Sequence, residues 1–284
     1  MFEYQAPEHI QHFIQEALKE DVGDGDHTSL ATVPASATGS ANLLVKDTGV
    51  LAGVELAKAI FLTVDPTIKL TFFKQDGDWI EPGMIVMEVE GLSQSILKAE
   101  RLVLNCMQRM SGIATYTRSL VQMIQGTKAK LLDTRKTTPN FRLAEKWACK
   151  IGGATNNRYG LFDMILIKDN HVDFAGGVAA ALEKAFGYNT HRETPLSVEI
   201  EVRNEKELDE VLKIGGVQRI MLDNFSPDQL RAAIRKIDGR FITEASGGIN
   251  EKTLRAYAET GVDFISVGAL THHIKSLDLS LKAK

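Results

Sequence analysis

KLLDT at residues 130–134 is the first of six short β-rich runs. MILIKD (164–169), SVEIEV (197–202), RIMLD (219–223), FITEA (241–245) and FISVGAL (264–270) follow it. Between them lie segments of helical pattern, approximately 139–151, 175–187, 204–213, 226–236 and 250–259. Strand–helix alternation with apolar strands means a parallel sheet covered on both faces. Six units without a switch in mid-sequence favour an α/β barrel over an open doubly wound sheet. The punctuation agrees. Thr138-Pro139 reads as the N-cap and first residue of one helix that Gly152-Gly153 closes, and Ser226-Pro227 opens another.

In such folds the chemistry sits at the carboxyl ends of the strands. Here those ends carry Asp133 with Arg135 and Lys136, then Lys168, Glu201, Asp223, Glu244 with Ser246, and Gly268. The stretch from Asp133 to His171 holds seven cationic and four acidic side chains, net +3, in a chain of formal charge −4. A local basic island in a mildly acidic protein points to a small anionic ligand rather than nucleic acid. Arg142, Lys146 and Lys150 read equally well as the solvated face of a helix. Arg135, Lys136, Arg158 and Lys168 do not, because they stand at strand ends or in a Gly-rich loop. SGGIN (246–250) and VGAL (267–270) follow the last two strands, where this fold commonly holds a phosphate. Glu201 and Asp223 beside such a loop suit Mg²⁺ bound largely through water and substrate oxygens. A salt bridge to Lys168 or Arg158 is the competing reading.

Upstream of residue 130 the pattern is different. Residues 7–20 form an amphipathic helix, with Ile10, Phe13, Ile14, Ala17 and Leu18 on one face. Asp21, Asp24 and Asp26 lack the spacing of a calcium loop and read as a connection to the first strand. Strand signals follow at 43–45, 68–73 and 84–90, with a helix at 54–63. GDWIEPGMIVMEVEG (77–91) resembles the hairpin of biotinyl or lipoyl modules but lacks a lysine in its turn, so it reads as a β structure without a prosthetic group. Residues 93–125 form a long helical region interrupted at Ser111-Gly112. Arg101, Asn105 and Gln108 make a polar stripe along it that faces either solvent or a site.

At 284 residues the chain has room for a barrel and a smaller module. It shows no apolar run of membrane length and no signal peptide. Its two cysteines, Cys106 and Cys149, lie in helical patterns with neither disulfide nor metal spacing, which suits a reducing cytoplasm.

Taken together, DTRKTTPNFR, GGATNNRYGL, ILIKDNHV, EIEV, MLDNF, EASGGI and GVDFISVGALTH, with EDVGDGDHTS and AERLVLN upstream, resemble quinolinate phosphoribosyltransferases, the carboxylating nicotinate-nucleotide pyrophosphorylases. The resemblance spans nearly the whole chain. It implies an N-terminal α/β sandwich domain (1–112) and an incomplete parallel α/β barrel (113–272), with the tail 273–284 packed on the first domain. It implies a homodimer whose active site is completed across subunits, and the Mg²⁺-dependent formation of nicotinate mononucleotide, pyrophosphate and CO₂ from quinolinate and phosphoribosyl pyrophosphate. Carried over by motif, Arg101, Arg135, Lys136, Arg158 and Lys168 bind the quinolinate carboxylates. Glu201 and Asp223 bind Mg²⁺ and the ribose side of the second substrate. Ser246, Gly247, Gly248, Gly268 and Ala269 line its 5′-phosphate. Lys136 and Lys168 also assist the chemistry. The family usually has histidine before the loop arginine, where it contacts quinolinate; Asn157 stands here. Asparagine donates a hydrogen bond but carries no charge. Two rivals remain: a Schiff-base aldolase with Lys168 as nucleophile, and a non-catalytic binding protein on the same fold.

Overall fold

Two principal sheets of opposite kind account for the change in texture near residue 130. In the computed structural model, which describes residues 6–284, the first half runs α1 (Pro7–Val22), α2 (His27–Thr32), β1 (Thr38–Val45), β2 (Gly49–Val50), α3 (Val54–Val64), β3 (Lys69–Phe72), β4 (Trp79–Ile80), β5 (Ile85–Leu92) and α4 (Ser93–Met123). The alternating half runs β6 (Lys130–Leu132), α5 (Arg142–Gly152), β7 (Ile165–Ile167), α6 (Asp169–Ala175), α7 (Val178–Thr190), β8 (Val198–Val202), α8 (Glu205–Ile214), β9 (Arg219–Asp223), α9 (Pro227–Ile237), β10 (Ile242–Ser246), α10 (Leu254–Ala258), β11 (Phe264–Ser266), α11 (Ala269–His272) and β12 (Leu279–Ala283). The chain divides into two units. One holds the chain through Arg118, with Lys136–Gly153 and Leu270–Lys284; the other holds Ser119–Arg135 and Ala154–Ala269.

In the first unit an antiparallel sheet has the order β12-β1-β5-β3, and β2 pairs with β4. Along β1 burial alternates, with Ala41, Leu43 and Val45 turned inward, as expected of a sheet with one covered face. The chain's last strand joins this sheet, Val45 pairing with Leu279 and Ala41 with Ala283. Asp26 caps α2 through Ser29 N. This gives a short helix in place of a plain connection.

Helix α4 runs without a break through Ser111 and Gly112. The serine and glycine serve packing instead. Ser111 Oγ accepts from Ala52 N at 2.9 Å and donates to Ala52 O at 3.2 Å. A Cβ on Gly112 would lie 2.3 Å from Lys275 O, so glycine is there for the close passage of the tail. Helix α5 also differs from expectation. It starts at Arg142, because Thr138 is used elsewhere: its N and Oγ1 both donate to Glu145. Of the cations for which a solvated helix face was one of two open readings, Lys146 is fully buried and Lys150 is exposed.

In the second unit six strands form one parallel sheet in the order β6-β11-β10-β9-β8-β7. Every residue of β8 is buried, the mark of a strand covered on both faces. The sheet is open, with β6 and β7 at its edges, and Thr155 adds a bridge to Leu132 beside β6. Ser226 caps α9 in a box with Gln229. Helix α10 begins only at Leu254, after a turn at 251–253.

Gly112→Ala separates propensity from packing. Within a helix, Ala is favoured over Gly by about 0.8–1 kcal/mol. The contact with Lys275 O reverses that sign, so the variant is expected to unfold at lower denaturant than the wild type. A higher midpoint would show that the tail does not press on α4.

Candidate active site

The carboxyl-terminal edge of the parallel sheet is organised by a buried carboxylate. Asp133, just past β6, is fully buried and accepts from Asn156 Nδ2 and from Asn157 N at 2.8 Å. Its own N–H donates to Thr155 O. The loop of residues 154–158 is thereby tied to the strand end, which sets the position of Arg158. That guanidinium donates to Met164 O at 3.2 Å. Burial and the nearby charge of Arg135 both hold it below the usual arginine range. Two guanidiniums close enough to repel each other form a place that an anion stabilises.

At the end of β7, Lys168 Nζ pairs with Glu201 Oε2, whose carboxylate is buried at the end of β8. His171 accepts from Lys168 N at 2.9 Å and so fixes the turn into α6. Asp223 ends β9, and its Oδ2 accepts from Asn224 Nδ2 at 2.5 Å. Asn224 adopts φ 58° and donates its N–H to Ser246 O. Gly247 follows at φ 101°, and a Cβ there would lie 2.2 Å from Asn224 Oδ1. Only glycine allows the backbone this conformation and this approach. Asp223 and Ser246 pair across neighbouring strands, so the acidic locus and the glycine turn are adjacent. Gly268 and Ala269 follow β11.

Of the residues read from the sequence, the second unit thus brings Arg135, Asn157, Arg158, Lys168, Glu201, Asp223, Ser246, Gly247, Gly248, Gly268 and Ala269 to the loops and strand ends of one sheet. Arg101 and Lys136 belong to the first unit, and both are exposed. The backbone of Lys136 is well held: its carbonyl accepts from Thr271 Oγ1 at 2.6 Å. Thr271 O and Ile274 O accept from Arg109, which also pairs with the buried Glu145 at 2.9 Å. Of the polar stripe on α4, Gln108 grips the tail through Leu279 O, while Arg101 and Asn105 stay exposed.

Sequence reasoning named Glu244 at a strand end but missed Glu199 and Arg219 beside it. Glu199 on β8 and Glu244 on β10 are both fully buried and flank Arg219, the first residue of β9. Burial, then the neighbouring Glu244, push Glu199 well above the ordinary carboxylate range. Its signal was present in VEIEV: Glu199 lies two residues before Glu201 and therefore on the same face of the strand.

Among the described residues no group of three or more His, Cys, Asp and Glu could hold a metal unaided. Glu201 and Asp223 offer hard oxygen donors on neighbouring strands. That fits Mg²⁺, which takes one or two protein carboxylates and fills its shell with water and substrate oxygens. It does not fit a transition metal that wants nitrogen or sulfur. Cys106 is no nucleophile, since burial pushes its thiol up to about 12. As a Schiff-base nucleophile Lys168 is poorly placed: it would have to be neutral, and its ammonium is paired with Glu201.

These features define an α/β protein that gathers cations, carboxylates and glycine turns at the strand ends of one open parallel sheet. Comparison with known proteins narrows the class. A family model described as the C-terminal domain of quinolinate phosphoribosyl transferase matches residues 113–282, and its N-terminal counterpart matches 26–111. Quinolinate phosphoribosyltransferase (decarboxylating) 1b of Nicotiana tabacum is 45% identical over 284 residues, covering 95% of this chain and 81% of that protein. The probable nicotinate-nucleotide pyrophosphorylase (carboxylating) of Bacillus subtilis is 40% identical, covering 92% of this chain and 89% of that one. The solved nicotinate-nucleotide pyrophosphorylase of Francisella tularensis superposes with a TM-score of 0.88 at 40% identity, over 97% of this chain and 96% of that chain. The chain belongs to the quinolinate phosphoribosyltransferase family.

The state of Glu199 can be checked through stability. A carboxyl whose folded pKa is raised binds its proton more tightly in the folded than in the unfolded chain. Its contribution is complete below the ordinary value of 4.5 and is lost as pH rises through the raised folded value. Glu199→Gln, which copies the neutral form, is expected to gain on the wild type in melting temperature as pH climbs above 4.5. Parallel curves for the two proteins would mean that Glu199 ionises normally.

Proposed function

We propose that this chain transfers the phosphoribosyl group of phosphoribosyl pyrophosphate to quinolinate with loss of CO₂, giving nicotinate mononucleotide and pyrophosphate for NAD biosynthesis. The observation that carries the reading is the match of residues 26–111 and 113–282 to the two domains of the family. Arg135 and Arg158, near enough to feel each other's charge, together carry more positive charge than one carboxylate needs. Guanidinium forks suit planar carboxylates because each can bind both oxygens.

In this reading Arg135, Arg158 and Lys168 clamp the two carboxylates and aim the ring nitrogen at C1 of the ribose. Asn157 contributes a neutral donor. Ser246, Gly247, Gly248, Gly268 and Ala269 cradle the 5′-phosphate with backbone N–H groups. Glu201 and Asp223 would hold Mg²⁺ and the ribose hydroxyls, and the ion would supply neutralising charge for the departing pyrophosphate. Attack by nitrogen makes the ring cationic. That cation stabilises the electron pair left at the adjacent carbon when CO₂ departs, and a proton then replaces the carboxylate. The cations orient the dicarboxylate through both steps and need supply no acid of unusual pKa.

The family resemblance supports a homodimer in which Arg101 completes the partner's site and Lys136 joins the cationic set. The exposure of Arg101 on α4 is in keeping with that. No helix among the described residues is long and apolar enough to cross a membrane. Cys106 and Cys149 are both free thiols, in keeping with a cytoplasmic setting, although some plant relatives carry mitochondrial or chloroplastic names.

The deciding assay follows nicotinate mononucleotide and CO₂ from quinolinate, phosphoribosyl pyrophosphate and Mg²⁺, beside nicotinate as control. Quinolinate is expected to turn over and nicotinate very poorly; comparable turnover of both, or of neither, would sink the reading. Arg158→Lys keeps the charge but loses the fork. A charged hydrogen bond contributes about 1.5–3 kcal/mol, so kcat/KM is expected to fall roughly ten- to hundred-fold. Unchanged kinetics would remove Arg158 from the site. For the shared site, mixing inactive Arg101→Ala with inactive Lys168→Ala protein is expected to restore activity in mixed dimers, and verified heterodimers without activity would contradict it.

A further inference from the structure

Under the loop that carries Asn157, β8, β9 and β10 present Glu199, Arg219 and Glu244 on one face of the sheet. Glu199 and Arg219 are direct neighbours, and Glu244 pairs with Met221, two residues beyond Arg219 and so on the same side. Arg219 Nη1 lies 2.9 Å from Glu244 Oε2 and 3.5 Å from Glu199 Oε2. The guanidinium also stacks on Phe264, 4.9 Å from the ring centroid. From this anchored position the same Nη1 donates to Asn157 Oδ1 at 3.3 Å.

The second contact on that oxygen comes from Arg158 N, at 2.9 Å. Both neighbours are pure donors, so the amide's orientation is dictated: oxygen must face them and the NH₂ must point the other way. The guanidinium is braced from both sides, by Glu244 on β10 and by Glu199 on β8.

We propose that Arg219, braced by Glu244 and Glu199, is the positioning residue for Asn157, fixing its carboxamide so that position 157 meets a substrate carboxylate as an oriented, uncharged N–H donor. The inference rests on the proposed quinolinate reading. It gives the departure from histidine at this position a physical context, because the guanidinium beneath position 157 demands an acceptor there. A histidine in the same place would have to turn an unprotonated nitrogen toward Arg219 and could not carry charge.

The test is a double-mutant cycle on quinolinate kinetics, after wild-type turnover has been established. Arg219→Met and Asn157→Ala are each expected to raise the quinolinate KM about tenfold with little change in kcat. The double variant is expected to resemble either single variant, because the second change removes an interaction already lost. Melting curves establish that each protein is folded. If Arg219→Met does not fold, Arg219→Gln, which keeps a side-chain donor, goes through the same cycle with the same non-additivity expected. Independent, multiplying losses, or a KM that ignores Arg219, would overturn the positioning role and leave the proposed activity standing. A wild type inactive on quinolinate would overturn both.

Discussion

A buried carboxylate at the end of the first parallel strand sets the terms for the site. Asp133 has no exposure to solvent, and its oxygens collect the N–H of Asn157 and the amide of Asn156. A carboxyl group in such a place is tolerable only when it is hydrogen-bonded. The loop that satisfies it is therefore held in one conformation, and Arg158 leaves that loop in a fixed direction. Removing the carboxylate would leave buried donors unanswered, which costs about 1–3 kcal/mol each.

The same device recurs around the molecule. Glu145 collects Arg109 and Thr138 in the first unit. Glu201 takes Lys168, and Glu244 takes Arg219. Buried ion pairs add little net stability, because desolvation offsets attraction; breaking one by removing a partner costs about 3–5 kcal/mol. Their value here is geometric. Lys168 is held at the end of β7 and Arg219 beneath Asn157.

Much of this was legible in the sequence. The parallel strands were marked by apolar runs ending in polar residues, and the helix opening at Ser226-Pro227 by its capping chemistry. The strand-end residues were found because the fold class says where to look. What escaped was whatever depended on contacts between distant segments. Gly112 reads as a helix break because its glycine pattern is the same whether the chain bends or another segment passes close by. Thr138-Pro139 reads as a cap because the competing acceptor, Glu145, lies seven residues away. Lys146 read equally well as part of a solvated face, because residue type alone does not show that its position on α5 buries it. Arg219 and Glu199 went unnoticed, and Glu244 was read only as a strand-end residue, because all three lie below the strand ends, where a packed apolar layer is the ordinary expectation.

The central claim is that the site selects a dicarboxylate by placing several cations against one another. The most direct measurement is equilibrium binding, without the phosphoribosyl donor, of quinolinate and of the two pyridines that each keep one of its carboxylates, picolinate and nicotinate. The account predicts clear binding of quinolinate that weakens with added salt, and binding of either monocarboxylate at least tenfold weaker. Affinity for picolinate or nicotinate equal to that for quinolinate would contradict it.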